Sequence, residues 1–241
     1  AELNILDGVT ATASELNLLD GGTSVGSSIT LADADGFVVN DGGTMKTIPA
    51  SDISTYASGN LVKLAQAHSL SDVSVVEVDS IFSSIYSAYR LVGTFKTTNS
   101  SVGVRFRWRA SSSDLSVSQY YGSGRGGYVN GSGAGATSFS EWGSSYATIA
   151  QGMNNNNYNA LQFDILLYPY NNTGAGNIRS INNASSFIFH NNYWRDASPE
   201  RQEQVSGGYT YTQTTVADGF AVYPTAGDWD GYNYAVFGYK G

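Results

Sequence analysis

The chain has 241 residues, room for one or two domains, and carries 28 glycines, 17 tyrosines and no cysteine. That composition suits β-sheets joined by turns and excludes a disulfide framework or a thiolate metal site. A net charge of −8 argues against partners that need a basic patch, nucleic acid and anionic bilayers alike, and no apolar run approaches the ~20 residues that cross a membrane.

The first stretch repeats. Glu2-Leu3-Asn4-Ile5-Leu6-Asp7-Gly8 returns as Glu15-Leu16-Asn17-Leu18-Leu19-Asp20-Gly21, and a degenerate third copy places Ile29, Leu31 and Asp33 at the same offset. A unit this short cannot bury its own apolar side chains, so it needs neighbouring units or chains. Thr12 with Glu15 has capping-box spacing and Gly21 sits where a C′ glycine would end a helix. A short helix over 13–20 is therefore expected, stable only where Leu16 and Leu19 pack on something. Leu3, Leu16 and Ile29 are the predicted core between chains. No signal peptide is visible. Because the chain opens at Ala1 inside a repeat, further shaft and an anchor are expected upstream.

This repeat resembles those of bacteriophage tail fibres, marine phages in particular, and the run Asp35 to Pro49 resembles the segment that often follows them. The resemblance covers roughly the first quarter of the chain. It implies a homotrimer on the outside of a virion, joined to other virion proteins through an upstream part. Residues 1–41 are read as the shaft, 42–60 as a Gly/Thr/Ser neck and 61–241 as a head.

In the head, Val73, Val75 and Val78 mark one strand and residues 89–97 another. Val102, Val104, Phe106 and Trp108 alternate with Gly103, Arg105, Arg107 and Arg109. A period of two buries one face, and each aromatic on it contributes roughly 1.5–3 kcal/mol. Leu161, Phe163, Ile165 and Leu167 repeat the pattern. Residues 187–190, 209–216, 219–223 and 234–239 supply four more strands. With no long helical pattern between them, the expected fold is mainly β, an antiparallel β-sandwich of jelly-roll type. Phe82, Ile85, Tyr86 and Tyr89 read as core residues on a short helix or turn. The run Phe82 to Leu91, the strand around Phe106 and the ending Ala235 to Lys240 resemble a β-sandwich at the C-terminus of many phage fibre and virion proteins, which implies a surface role without catalysis.

Tyr120 to Gly135 is rich in Gly, Ser and Tyr. Its Gly122-x-Gly124-x-x-Gly127 lacks the βαβ context of a dinucleotide site. The composition predicts an exposed loop offering amphipathic tyrosines, with Tyr120, Tyr121 and Tyr128 as receptor contacts. An ordinary loop, or one buried between chains, is the alternative. Trp142 and Tyr146, in a second aromatic segment, and Tyr158, beside an Asn-rich turn over 154–159, are further candidate receptor contacts. Gly143-x-Ser145 lacks the last glycine of a nucleophile elbow, and neither His68 nor His190 has a motif around it. Asp33, Asp35 and Asp41, and separately Asp228 and Asp230, form acidic turns without the remaining calcium-loop ligands. Arg105, Arg107 and Arg109 either meet an anionic glycan or pair with acidic neighbours. No metal and no cofactor is expected.

The reading is a distal tail-fibre segment that adheres to a host surface receptor, a glycan or a protein, with no catalytic, nucleic-acid or membrane-inserting role. Two alternatives stand beside it. One is a structural capsid-fibre, decoration or fibre-joining subunit. The other is a glycan depolymerase, which needs two carboxylates about 5–10 Å apart across a groove. Glu141, Asp164, Asp228 and Asp230 are its candidates, and their spacing pairs none of them.

Overall fold

The computed structural model describes residues 10, 12, 30–57, 61–156, 160–169, 184–195 and 200–240. The chain divides into two compact units, Ala1–Ala57 and Ser58–Gly241. The predicted helix over 13–20 and the core positions Leu3, Leu16 and Ile29 lie outside the described residues.

In the first unit, β1 (Gly36–Asp41) and β2 (Thr44–Pro49) form an antiparallel hairpin followed by α1 (Ala50–Ala57). The two-residue turn is Gly42-Gly43, both with positive φ (59° and 97°). Two positive φ angles in succession match the twist of a hairpin and favour glycine at both places. Asn40 Oδ1 accepts from the Gly43 amide at 2.7 Å, and Lys46 pairs with Asp41 across the strands. This corrects the expected neck. A shaft boundary after residue 41 falls inside the hairpin turn, because the glycines that look like linker close a tight reversal.

The second unit is mainly β: a large curled antiparallel sheet of thirteen strands. Its strands are β3 (Leu61–Ser69), β4 (Val76–Val78), β5 (Tyr86–Thr97), β6 (Val102–Ala110), β7 (Ser113–Asp114), β8 (Tyr120–Asn130), β9 (Gly133–Ser144), β10 (Ala147–Met153), β11 (Leu161–Tyr168), β12 (Ser185–Arg195), β13 (Arg201–Tyr211), β14 (Gly219–Pro224) and β15 (Trp229–Lys240). One limb runs β3-β15-β5-β11-β12-β13-β8-β9. The other runs β10-β6-β14-β4, with β7 on the end of β6. They join where Met153 meets Arg195.

The limbs face each other as a sandwich. Phe106, Trp108 and Phe220 from the short limb pack on Phe187 and Tyr89 from the long one, and the Phe106 and Phe187 rings lie 4.5 Å apart. The two clearest alternations hold. Val102, Val104, Phe106 and Trp108 are buried on β6, as are Leu161, Phe163, Ile165 and Leu167 on β11. The Phe82 segment is a turn that enters β5 at Tyr86, with the Tyr89 hydroxyl donating to the Ser83 carbonyl at 2.7 Å and accepting from its amide. Phe82 packs edge-on against Tyr89, whereas Ile85 at the turn is exposed rather than in the core. Val73 makes only an isolated bridge to Trp229, so the first head strand shrinks to β4. Strand β13 ends at Tyr211 and begins eight residues before the predicted strand at Tyr209. Its first half is inconspicuous because its inward positions are Glu203, Val205 and Gly207.

The largest correction concerns the Gly/Ser/Tyr segment. It is the β8–β9 hairpin, not a loop. Gly122, Gly124 and Gly126 line one face of β8, opposite Tyr209, Gly207 and Val205 of β13. A Cβ at Gly124 would meet the Phe139 ring at 2.5 Å, and one at Gly122 would meet Tyr209 at 2.7 Å. Aromatic side chains from neighbouring strands therefore cover the glycines and supply the burial that β8 itself lacks.

Candidate functional site on the outer face of the long limb

The pleat puts alternate residues of each strand on opposite faces, and this sorts the candidate receptor residues. Tyr120 points inward and is fully buried. Its hydroxyl donates to the Leu115 carbonyl at 2.8 Å and accepts from the Trp108 amide at 2.9 Å, and burial pushes its phenol well above the ordinary value. It is a core residue and leaves the list of receptor contacts. Tyr128 also stands on the inward face, opposite Glu203, half-buried beneath the Arg201 guanidinium at 4.1 Å. Tyr146 lies half-buried in the turn after β9, stacked on Arg105 at 3.7 Å. Tyr158 lies outside the described residues.

Tyr121 and Trp142 face outward and are brought together. They are cross-strand partners on β8 and β9, with ring centroids 5.3 Å apart at 84°. Trp142 is 90% exposed, which for so large an apolar ring is unusual without a partner. Gly143, at φ 67°, turns the chain just beyond it, so the ring stands at the end of an edge strand.

The arginines divide. Arg109 is buried and held by Asp79, Asp114 and Glu77 at 2.6–2.7 Å. Arg107 pairs with Asp114 and lies over the Tyr223 ring. They pair with acidic neighbours and cover the sheet with their stems.

The outer face also carries a polar row that no single stretch of sequence reveals. His68, Asn233, Thr94, Gln162, Asn192 and Gln204 are successive cross-strand partners over six strands. The row continues onto Gly127 and Ala136 of the β8–β9 hairpin. Three shallow depressions lie along it, of about 660, 420 and 490 Å³. Gln162 borders the first and second, and Gln204 and Ser206 border the second and third, so they form one continuous trough. Asp164 lies beside the row, clasped by Arg90 through two hydrogen bonds of 2.9 and 2.6 Å. His190 Nδ1 meets Ser206 Oγ at 2.7 Å in the same place.

Carboxylates are otherwise engaged or distant. Glu141 accepts from Thr148 Oγ1 on the inward face, and Asp230 pairs with Lys96. Asp164 is the one carboxylate among the residues lining the trough. Asp35 accepts from the Ala32 amide, closing its own turn. Among the described residues no three His, Asp or Glu side chains gather as a metal site, and no helix is long and apolar enough to cross a membrane.

Fold and face together define an antiparallel β-sandwich with a broad sheet surface turned to solvent. The chain matches no family model, no curated protein and no solved structure.

Proposed function

We propose that this chain is the distal part of a bacteriophage tail fibre and that its sandwich adheres to a receptor on the host surface. The observation that carries the reading is Trp142, 90% exposed over Tyr121 on a sheet with a tightly packed interior. An aromatic side chain has only two rotatable bonds to fix, so an exposed ring binds at low entropic cost, against either a sugar ring or a protein side chain. A single carboxylate in the trough does not supply the pair that glycoside hydrolysis uses, which supports adhesion over depolymerisation.

The first unit supports assembly of several chains. A two-stranded hairpin is marginal alone, and here Leu31, Val38, Met45 and Tyr56 are all exposed. Contact with further copies would cover them, and the trimer implied by the N-terminal repeats would multiply a weak affinity at each head. The same exposure, with the edge of β9 that no described strand pairs, also suits the second reading, a structural virion subunit whose aromatic pair packs on a neighbour.

The test is adsorption to host cells by the full chain and by a Tyr121→Ala/Trp142→Ala variant. Adhesion through this pair predicts reduced adsorption with the melting temperature nearly unchanged. Unaltered adsorption by a folded variant removes the pair as the site. If the parent chain does not adsorb and the variant changes the sedimented mass, the structural reading is the correct one.

A further inference from the structure

The trough has its own chemistry, separate from the aromatic pair. We propose that it binds an uncharged polysaccharide, laid across the strands and gripped along the interior of the polymer rather than at its end. The inference rests on the reading of the chain as a surface adhesin and adds a second site to it.

The first argument is hydrogen-bonding capacity. Gln162, Gln204, Asn233 and Thr94 make no side-chain hydrogen bond to a described residue, and Gln162, Gln204 and Asn233 are exposed. A carboxamide offers two donors and an acceptor, and a hydroxyl offers both. Sugar hydroxyls are likewise donor and acceptor at once, so a row of amides and hydroxyls is complementary to them.

Charge points the same way. The chain carries −8, yet the row itself holds only amides, a hydroxyl and an imidazole, Asp164 beside it is cancelled by Arg90, and a single cation, Arg125, lines the third depression. An anionic polymer would meet net repulsion without a compensating basic cluster, and a cationic one would find no free carboxylate. A protein partner would want a buried aromatic or aliphatic anchor, and the row has none. Half-buried Val92 and Ala235 instead line the first depression and offer a small apolar floor to the C–H face of a sugar.

Shape decides between chain end and chain interior. Five inter-strand steps of ~4.8 Å make the row about 24 Å long, several sugar units. Both ends are open. Among the described residues no strand pairs beyond β3 on the His68 side, and beyond Gln204 the row continues over Gly127, which has no side chain, and Ala136, which has only a methyl.

The experiment is affinity electrophoresis of the full chain in gels containing dextran, mannan or galactan as neutral probes and alginate as the anionic one. Oligosaccharides cut from the polymer that binds then serve as competitors. The expected result is retardation by a neutral polymer, with competition strengthening with oligomer length up to the span of the row. Gln162→Ala/Gln204→Ala should weaken binding roughly tenfold, as loss of a few side-chain hydrogen bonds implies, with an unchanged melting temperature. The proposal is overturned by retardation in alginate alone, by none in any neutral gel, by full competition from a monosaccharide, or by unchanged binding in the glutamine variant. A changed sedimented mass in that variant overturns it too, since the face would then be a contact between copies. Cell adsorption separates the two readings: adsorption without neutral-polymer binding sinks the trough alone, whereas polymer binding without adsorption sinks the adhesin reading.

Discussion

Trp108→Ala tests the packing of the sandwich. The side chain is fully buried, with the rings of Phe106, Phe82 and Phe187 at 5.2, 5.7 and 6.2 Å. Burying about 200 Å² of indole surface at ~25 cal/mol per Å² contributes about 5 kcal/mol, above the roughly 1.5–3 kcal/mol expected per aromatic on this strand because the indole is larger than a phenyl ring. One term opposes it. The indole Nε1–H is buried and meets no acceptor among the described residues, and removing an unsatisfied donor returns about 1–3 kcal/mol. The net expectation is a loss of about 3 kcal/mol, at the low end of large-aromatic truncations. Urea unfolding of the full chain, followed by far-UV circular dichroism, measures it. Trp108→Phe keeps a ring and drops the N–H, so it should cost well under half as much. A loss below about 1 kcal/mol for the alanine variant would refute the burial. Equal losses for both variants would mean that the indole N–H has a partner and that the opposing term is wrong.

Two further outcomes concern stability. Arg109→Met should destabilise by about 1–3 kcal/mol, since it leaves Asp79, Asp114 and Glu77 crowded without their cation; the partly solvated acids keep the loss below that of a fully buried pair, and a neutral result in urea unfolding would show the cluster to be dispensable. In alkali, burial pushes the Tyr223 phenol up to about 12 from an ordinary value near 10, and Tyr120, Tyr193 and Tyr209 shift the same way. These raised values give stability that is complete below about pH 10 and lost as pH climbs through the folded values, so the urea midpoint should fall from about pH 10 upward. Tyrosinate absorbance reaching its full amplitude near pH 10 in a still-folded chain would contradict this.

Strands β6 and β11 were legible because their own inward residues are large and apolar. Strand β8 was not, because its inward residues are glycines and the rings that cover them belong to β9 and β13. Composition made the segment look like a loop when a strand in partnership was the better solution. The aromatic site was half legible. Trp142 and Tyr121 stood out as residues, but their contact depends on a hairpin register that turn-rich sequence conceals. Tyr120 looked equivalent to Tyr121, and the period of two sends it to the opposite face. The polar row was beyond reach, since it takes one outward residue from each of six strands spread from His68 to Asn233, none notable alone.

The glycine face of β8 also determines how freely the opposite face can be rewritten. Ser123 and Arg125 on β8, with Ser138 and Ser140 on β9, point away from the rings that cover the glycines. Their backbone is fixed by ladder bonds on β8 and by buried aromatics beneath, and their own side chains hold none of it in place. A receptor surface made of loops must use part of its sequence to keep its shape. Here the shape is held from below, so on the proposed adhesin reading the outward positions of the hairpin form a keyboard on which specificity can be recomposed residue by residue while the instrument stays in tune.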